Sequence, residues 1–250
     1  MLTPKKRNMA RHVKNHKRKA HGTTFWDQEY TKPEHLALST EASEDLEKFT
    51  RWLERQSKRT LLNPLSSAID FGCGNGRNLF YLAEGFGMRG TGYDSSAAAI
   101  KEALRLAEGL PLTYQTRSMT GTFEIGDESQ TLALDMMSSH FLKRDERIQL
   151  RDEIHRVLKP GGYLFMKTFL SDGDLHTKRL IAEQPGSEEN SYIHPVIGVQ
   201  EYVYSEDELH AFLSEKFIVQ KMYPSHKHIS RGKARKRRTI AVYAQRDPYQ

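Results

Sequence analysis

A chain of 250 residues and 28.8 kDa with a formal charge of +6 and a single cysteine has room for one α/β domain with additions, and it excludes an internal disulfide and a cysteine-rich zinc site. No apolar run approaches the ~18 residues of a membrane span, and no short apolar leader opens the chain, so a cytoplasmic protein without membrane contact is expected. The charge is unevenly placed: residues 1–21 carry eight Lys/Arg and residues 225–238 seven, neither with any acid, while 22–224 hold 22 bases against 31 acids. Such basic segments attract polyanions without reading a sequence, or simply keep a tail in solution.

In chain order, residues 1–22 read as a basic flexible arm, and order is expected from Phe25-Trp26 onward. Leu46, Phe49, Trp52 and Leu53 recur at spacings of three and four within 40–57, one face of a helix. Residues 23–60 thus form a helical cap, ended by Asn63-Pro64. Strands and helices then alternate: strands over 67–71, 90–93, 112–116, 131–136 and 163–169, helices over 77–84, 95–107 and 147–158. That alternation predicts a parallel sheet with helices on both faces. Lys159-Pro160-Gly161-Gly162 gives a sharp stop between helix and strand. Residues 171–201 show little periodicity and are expected to be an insertion serving as a functional loop or lid. Ser205-Glu206-Asp207-Glu208 opens a short helix, and 217–223 and 239–245 are final strands flanking the basic segment 225–238.

The chemistry concentrates after the first strand, in Asp70-Phe71-Gly72-Cys73-Gly74-Asn75-Gly76. Glycines there let the backbone approach a ligand, and the helix start behind them offers unpaired amides. A Gly-x-Gly turn alone suits several nucleotide cofactors, NAD included. Asp70, at the strand end, would repel a pyrophosphate but hold an ammonium. Asp94, eighteen residues past Gly76, ends the second strand, with Ser95 beside it, where two carboxylate oxygens can take both ribose hydroxyls. Cys73 reads as a small packing residue of the loop rather than a nucleophile.

These residues resemble the class I S-adenosylmethionine-dependent methyltransferases, through Ile69–Asn78, Gly92-Tyr93-Asp94, Thr131–Asp135 and Arg156–Tyr163. The resemblance covers roughly 65–170. It implies a Rossmann-like, seven-stranded, mostly parallel sheet with an antiparallel last strand, filling 61–250, and S-adenosylmethionine as cofactor. It departs where many relatives carry an acid after the third strand: Arg117-Ser118-Met119-Thr120 leaves the adenine to the Ser118 side chain or to backbone, with Met119 against the ring. A partial resemblance to the tellurite-resistance branch runs through Gly72–Ala83 and places His226-Lys227 where that branch has a His-Arg pair, which would suit an oxyanion substrate.

Methyl transfer requires alignment first, and a base only when the acceptor must lose a proton. Residues 135–140 follow the fourth strand and would face the methyl. His140 is either a base of suitable pKa or a packing residue, and Asp135 either holds the acceptor or the cofactor's ammonium. No Asn/Asp-Pro-Pro-aromatic motif stands there, which disfavours exocyclic amines of DNA bases. Phe25-Trp26-Asp27-Gln28-Glu29-Tyr30 resembles a Trp-x-x-x-Tyr entry segment that folds aromatics over the cofactor, and Tyr30 is expected to bind substrate there. Tyr192 and His194 in the insertion, with His226, are expected to touch the acceptor. No metal site is read. The acceptor is a small molecule or an RNA or ribosomal component, and the alternative is an RNA-associated protein using the fold as a scaffold.

Overall fold

Glycine turns and β-branched or aromatic runs alternate with Ala- and Leu-rich stretches between residues 67 and 169, and this alternation builds the centre of the molecule. The structure is a computed structural model that describes residues 22–35, 38–226, 229–230, 233–234 and 237–249. The basic arm 1–21, and Lys227 within the second basic segment, lie outside the described residues.

In chain order the elements are α1 (Gly22–Thr31), α2 (Glu44–Gln56), β1 (Ser67–Phe71), α3 (Arg77–Phe86), β2 (Arg89–Asp94), α4 (Ala97–Leu106), β3 (Leu112–Thr116), β4 (Gln130–Met136), a single 3-10 turn (Ser139–Phe141), α5 (Arg144–Val157) and β5 (Leu158–Phe169). Then follow α6 (Leu175–Glu183), β6 (Ser191–Ile193), β7 (Gln200–Tyr202), α7 (Glu206–Ser214), β8 (Ile218–Pro224), the two-residue strands β9 (Ile229–Ser230) and β10 (Lys233–Ala234), and β11 (Thr239–Gln245). The main sheet runs β3-β2-β1-β4-β5-β11-β8. β1 to β5 are parallel, and β11 is antiparallel to both β5 and β8. The chain therefore winds outward from β1 in one direction and from β4 in the other. Ligands of open α/β sheets bind at the carboxyl ends of the strands flanking such a reversal.

Two apolar layers cover the sheet. On one face, α2 buries Leu46, Phe49 and Leu53, and the Phe49 ring stacks on Phe165 at 5.0 Å and meets Tyr243 edge-on at 4.8 Å. The other face carries Ile69, Phe71, Met166 and Val242 against Leu150 and Ile154 of α5 and Leu209 and Leu213 of α7. Residues one apart on a strand face opposite ways, so Ala68 falls in the first layer and Ile69 in the second.

Two expectations are revised. Helix α5 ends at Val157 and passes straight into β5: Leu158 pairs with Gln130, and pairing resumes at Tyr163 with Leu132. Lys159–Gly162 are thus a bulge inside the strand, made by Gly161 at φ +77°. The insertion is also more regular than its sequence suggests, containing α6 and the antiparallel β6–β7 hairpin. The missed signal is the N-cap Asp174, which accepts hydrogen bonds from the His176 and Thr177 amides at 2.9 and 3.2 Å.

Candidate active site

The loop after β1 takes its shape from three glycines at positive φ: Gly72 (+73°), Gly74 (+55°) and Gly76 (+77°). A Cβ at Gly72 would stand 2.3 Å from the Ser138 Cβ, and one at Gly74 would stand 2.3 Å from the Tyr30 hydroxyl. Both positions require glycine twice over, for conformation and for space. The loop is tied to β2, with Gly72 and Cys73 amides donating to the Tyr93 carbonyl, and Gly74 N–H donating to Asp94 Oδ2 at 2.9 Å. Asp94 Oδ1 accepts from the Ser96 amide at 2.8 Å. Burial raises the Asp94 pKa, and those amide bonds partly offset it. Each of its oxygens keeps a lone pair for a further donor.

Asp70 is completely buried at the end of β1, and neither of its oxygens has a well-formed hydrogen bond among the described residues, Asn78 standing near it as a weak side-chain donor. Burial, followed by the nearby Asp135 and Asp94 carboxylates, pushes its pKa up to about 8, against a weaker downward pull from Asn78 and Arg77. A buried carboxyl left without a well-formed hydrogen bond is rare in a folded protein and fits a cation or a further donor. Cys73 is buried with its thiol pushed well up by burial and by Asp70, which makes it inert in nucleophilic chemistry.

A cleft of about 600 Å3 opens above this loop. Its floor is Gly72, Cys73, Gly74 and Asn75, with Asp94 and Ser95 on one side and Ser118 and Met119 on another. Ser118 Oγ accepts from the Thr120 amide at 3.2 Å. Helix α1 roofs it with Trp26 and Tyr30, and Asp27 pins that helix: its Oδ1 accepts from Ser96 Oγ at 2.7 Å and from the Ala98 amide at 3.2 Å. Asn75 Nδ2 donates to the Ser39 carbonyl at 3.0 Å, and Arg77 to the Glu41 carbonyl at 3.2 Å, strapping the chain after α1 across the loop. The far end of the cleft is apolar, formed by Met136, Phe141, Leu142 and Val199. Tyr30 therefore stands over the glycine loop rather than at that far end.

Asp135 and His140 do not line the cleft. Asp135 is buried beneath it, where its Oδ1 accepts from the Ser139 amide at 3.1 Å and lies 2.9 Å from Ser138 Oγ. It shapes the turn that follows β4, and burial raises its pKa. His140 points to the other side of the 3-10 turn. Its ring lies 4.2 Å from that of Phe141 and edge-on to Phe169 at 5.0 Å, both ring nitrogens are buried, and neither has a hydrogen-bond partner among the described residues. Burial pushes its pKa down to about 4, so the imidazole is neutral at pH 7.

Tyr192 is fully buried on β6 and donates to Glu201 on β7. Glu201 also accepts from Arg237 Nη1 at 2.6 Å. His194 accepts the Val196 and Ile197 amides on Nδ1, leaving its proton on Nε2, 3.9 Å from Glu201 Oε1. Burial alone would raise the Glu201 pKa, but His140 and Arg237 outweigh it and hold the carboxylate below its usual range. His226 is exposed beyond β8, away from the cleft. Glu201, Arg237 and the anchoring role of Asp27 escape a reading of the sequence because their partners are 69 residues away for Asp27 and 36 for Arg237. Among the described residues no group of three or more His, Cys, Asp or Glu is arranged to hold a metal.

The β3-β2-β1-β4-β5 sheet has a reversed strand inserted beside β5, and the glycine loop lies between two strand-end aspartates at the switch point. Residues 68–162 match the family model described as a methyltransferase domain. Among solved structures, a SAM-dependent methyltransferase from Methanosarcina mazei superposes with a TM-score of 0.63 at 24% identity, covering 76% of this chain and 97% of its own. An uncharacterized 37.1 kDa protein in a Streptomyces fradiae transposon is 35% identical over 106 residues, 41% of this chain and 30% of that protein. Phosphoethanolamine N-methyltransferase 3 of Arabidopsis thaliana is 29% identical over 114 residues, 43% of this chain and 22% of that protein. The chain thus spans less than a third of the length of these curated relatives. Residues 68–162 thus match a methyltransferase domain, and the superposition shows that the chain has the fold of a SAM-dependent methyltransferase.

Proposed function

We propose that this protein transfers the methyl group of S-adenosylmethionine to a small acceptor that enters at the apolar end of the cleft. The observation that carries this reading is Asp70, a buried carboxyl without a well-formed hydrogen bond or a cation beside it, behind a glycine loop that no side chain could share. The cofactor supplies an electrophilic methyl on a sulfonium, which an acceptor lone pair takes by in-line displacement.

The residues of the chain then have distinct tasks. Asp70 holds the ammonium of the amino-acid portion, and Asp94 with Ser95 holds the ribose. Ser118 and Met119 flank the adenine, and Cys73 and Asn75 keep the loop in shape. Trp26 and Tyr30 on α1 exclude water from above. Positioning of this kind is worth ~7–11 kcal/mol in favourable cases. The walls at the acceptor end, Met136, Phe141, Leu142 and Val199, bear no titratable group. An acceptor with a lone pair already free at neutral pH needs none. Asp135 acts behind that wall, through the shape of the 138–141 turn, and Tyr192 and His194 through the hairpin whose Val199 closes it, while His140 lies behind Phe141.

An RNA or ribosomal acceptor is the second reading, favoured by the eight and seven basic residues of segments 1–21 and 225–238. Calorimetry with S-adenosylhomocysteine tests the cofactor assignment: binding is expected for the wild type and lost in Asp94→Ala, and undiminished binding in that variant refutes it. Radiolabelled methyl donor incubated with fractionated extract then separates the readings, because label in small molecules supports the first and label in RNA the second.

A further inference from the structure

Behind the apolar wall lies a second polar enclosure that the methyl donor does not use. Its walls are the 3-10 turn, the end of β5, the β6–β7 hairpin packed on that turn, and the segment leading into β11. Arg237 lies across it, its guanidinium 3.2 Å from the centroid of the Phe169 ring and 5.2 Å from that of Tyr192. Only Nη1 is engaged, by Glu201. Arg237 Nε and Nη2 are buried and have no partner among the described residues, and the same holds for both nitrogens of His140. The contacts run in series from the cleft inward: Phe141 lines the cleft and touches His140, His140 touches Phe169, and Phe169 carries Arg237.

Leaving one buried donor unpaired costs about 1–3 kcal/mol, and more when it is charged. Several such donors stand together here, each able to take a further acceptor. The free edge narrows what that acceptor group is. Nε and Nη2 form the side of a guanidinium that gives two parallel bonds to a pair of oxygens, the fork that matches carboxylate and phosphate. Glu201 occupies the other end and fixes the fork's orientation. The neutral imidazole of His140 adds one more N–H.

We infer that this enclosure is the recognition subsite for the methyl acceptor, and that the acceptor bears an oxyanion, carboxylate or phosphate, received by Arg237 Nε and Nη2 with His140 beside them. The inference rests on the proposed methyl transfer and adds the acceptor's chemical class. Glu201 and Tyr192 are positioning residues that hold Arg237. The hairpin that carries them is the wall an acceptor must pass.

The test uses the full chain loaded with S-adenosylhomocysteine, titrated separately with sodium acetate and inorganic phosphate at constant ionic strength. The readout is the Arg237 Nε–H resonance, assigned from Arg237→Lys. A saturable shift with one anion is expected, acetate indicating a carboxylate acceptor and phosphate a phosphorylated one. Arg237→Met alone would strand the buried Glu201, so the paired variant Arg237→Met/Glu201→Gln serves as control, and anion-dependent thermal stabilisation should vanish there. No saturable shift with either anion, or stabilisation that survives in the paired variant, overturns the subsite. Cofactor affinity measured on the same samples by calorimetry stays unchanged if only the subsite is wrong, whereas its absence in the wild type refutes the methyl-transfer reading instead.

Discussion

Asp70 gives the sharpest test of the cofactor site, because its proton must leave when a cation arrives. In the ligand-free fold burial and two neighbouring carboxylates raise its pKa from 3.8 to about 8, so at pH 7 it is about nine-tenths protonated. An ammonium placed against it favours the carboxylate, and binding then releases close to one proton. The assay is calorimetry of S-adenosylhomocysteine binding at pH 7 in buffers of different ionisation enthalpy. The observed enthalpy should vary linearly, with a slope of about 0.9 proton released, and the slope should fall toward zero at pH 9. The stability consequence has the opposite sign to that of a paired carboxylate. Between pH 3.8 and about 8 the folded state holds a proton that the unfolded state has lost, so stability falls as pH rises through that window. The interval corresponds to about 6 kcal/mol as an upper bound. Asp70→Asn removes the penalty while abolishing ligand binding. Even about 2 kcal/mol regained would raise the melting temperature of the ligand-free protein at pH 8 by about 4–8 °C at this chain length. A buffer-independent enthalpy at pH 7, or a ligand-free Asp70→Asn less stable than wild type at pH 8, would refute the reasoning.

Gly74→Ala should weaken S-adenosylhomocysteine binding by about tenfold or more, about 1.4 kcal/mol, since its methyl would meet the Tyr30 hydroxyl at 2.3 Å and displace α1; titration calorimetry measures it. Asp27→Ala removes the acceptor of the Ser96 hydroxyl and Ala98 amide and should cost about 1 kcal/mol of stability, with faster amide exchange across 22–31 and a faster cofactor off-rate, while Asp27→Asn retains most of both. Methyl transfer should show no inflection near pH 6.5 from His140, whose burial takes its pKa to about 4; an inflection between pH 6 and 7 that disappears in His140→Gln would show the ring to be solvated.

The parts of the site readable from the chain are those made locally. A strand, a glycine turn and a helix lie within twenty residues, and the conformations they impose, positive φ at Gly72, Gly74 and Gly76, belong to the residue type itself. Strand β1 and the two strand-end aspartates follow from the same local rule, as does the face of α2 that buries Phe49. The direction of a side chain beyond a strand end is another matter. Asp135 and His140 sit in a six-residue stretch that the sequence assigns as a unit to the methyl, yet the 3-10 turn sends Phe141 into the cleft and His140 away from it. A single turn of that kind has no periodic signal to read.

The same limit explains why the sequence singles out Tyr192 and His194 on the proposed acceptor side but not Glu201 or Arg237. The glycine loop proposed to hold the donor is made of contiguous residues, whereas the enclosure behind the cleft is assembled from Phe169, Tyr192, Glu201 and Arg237, each on a different element and joined only by the register of β5 with β11 and of β6 with β7. Tyr192 stands opposite Glu201 in the hairpin register, which is what puts its hydroxyl on that carboxylate. Arg237 lies two residues before β11, whose Thr239 pairs with Phe169, and this brings its guanidinium onto that ring. A one-residue slip in either register would turn one of these side chains to the opposite face and dismantle the fork. On the proposed reading the donor loop is encoded locally and the acceptor wall is set by distant registers, so a deletion within 185–200 should change acceptor use while S-adenosylhomocysteine binding, measured by calorimetry, is retained.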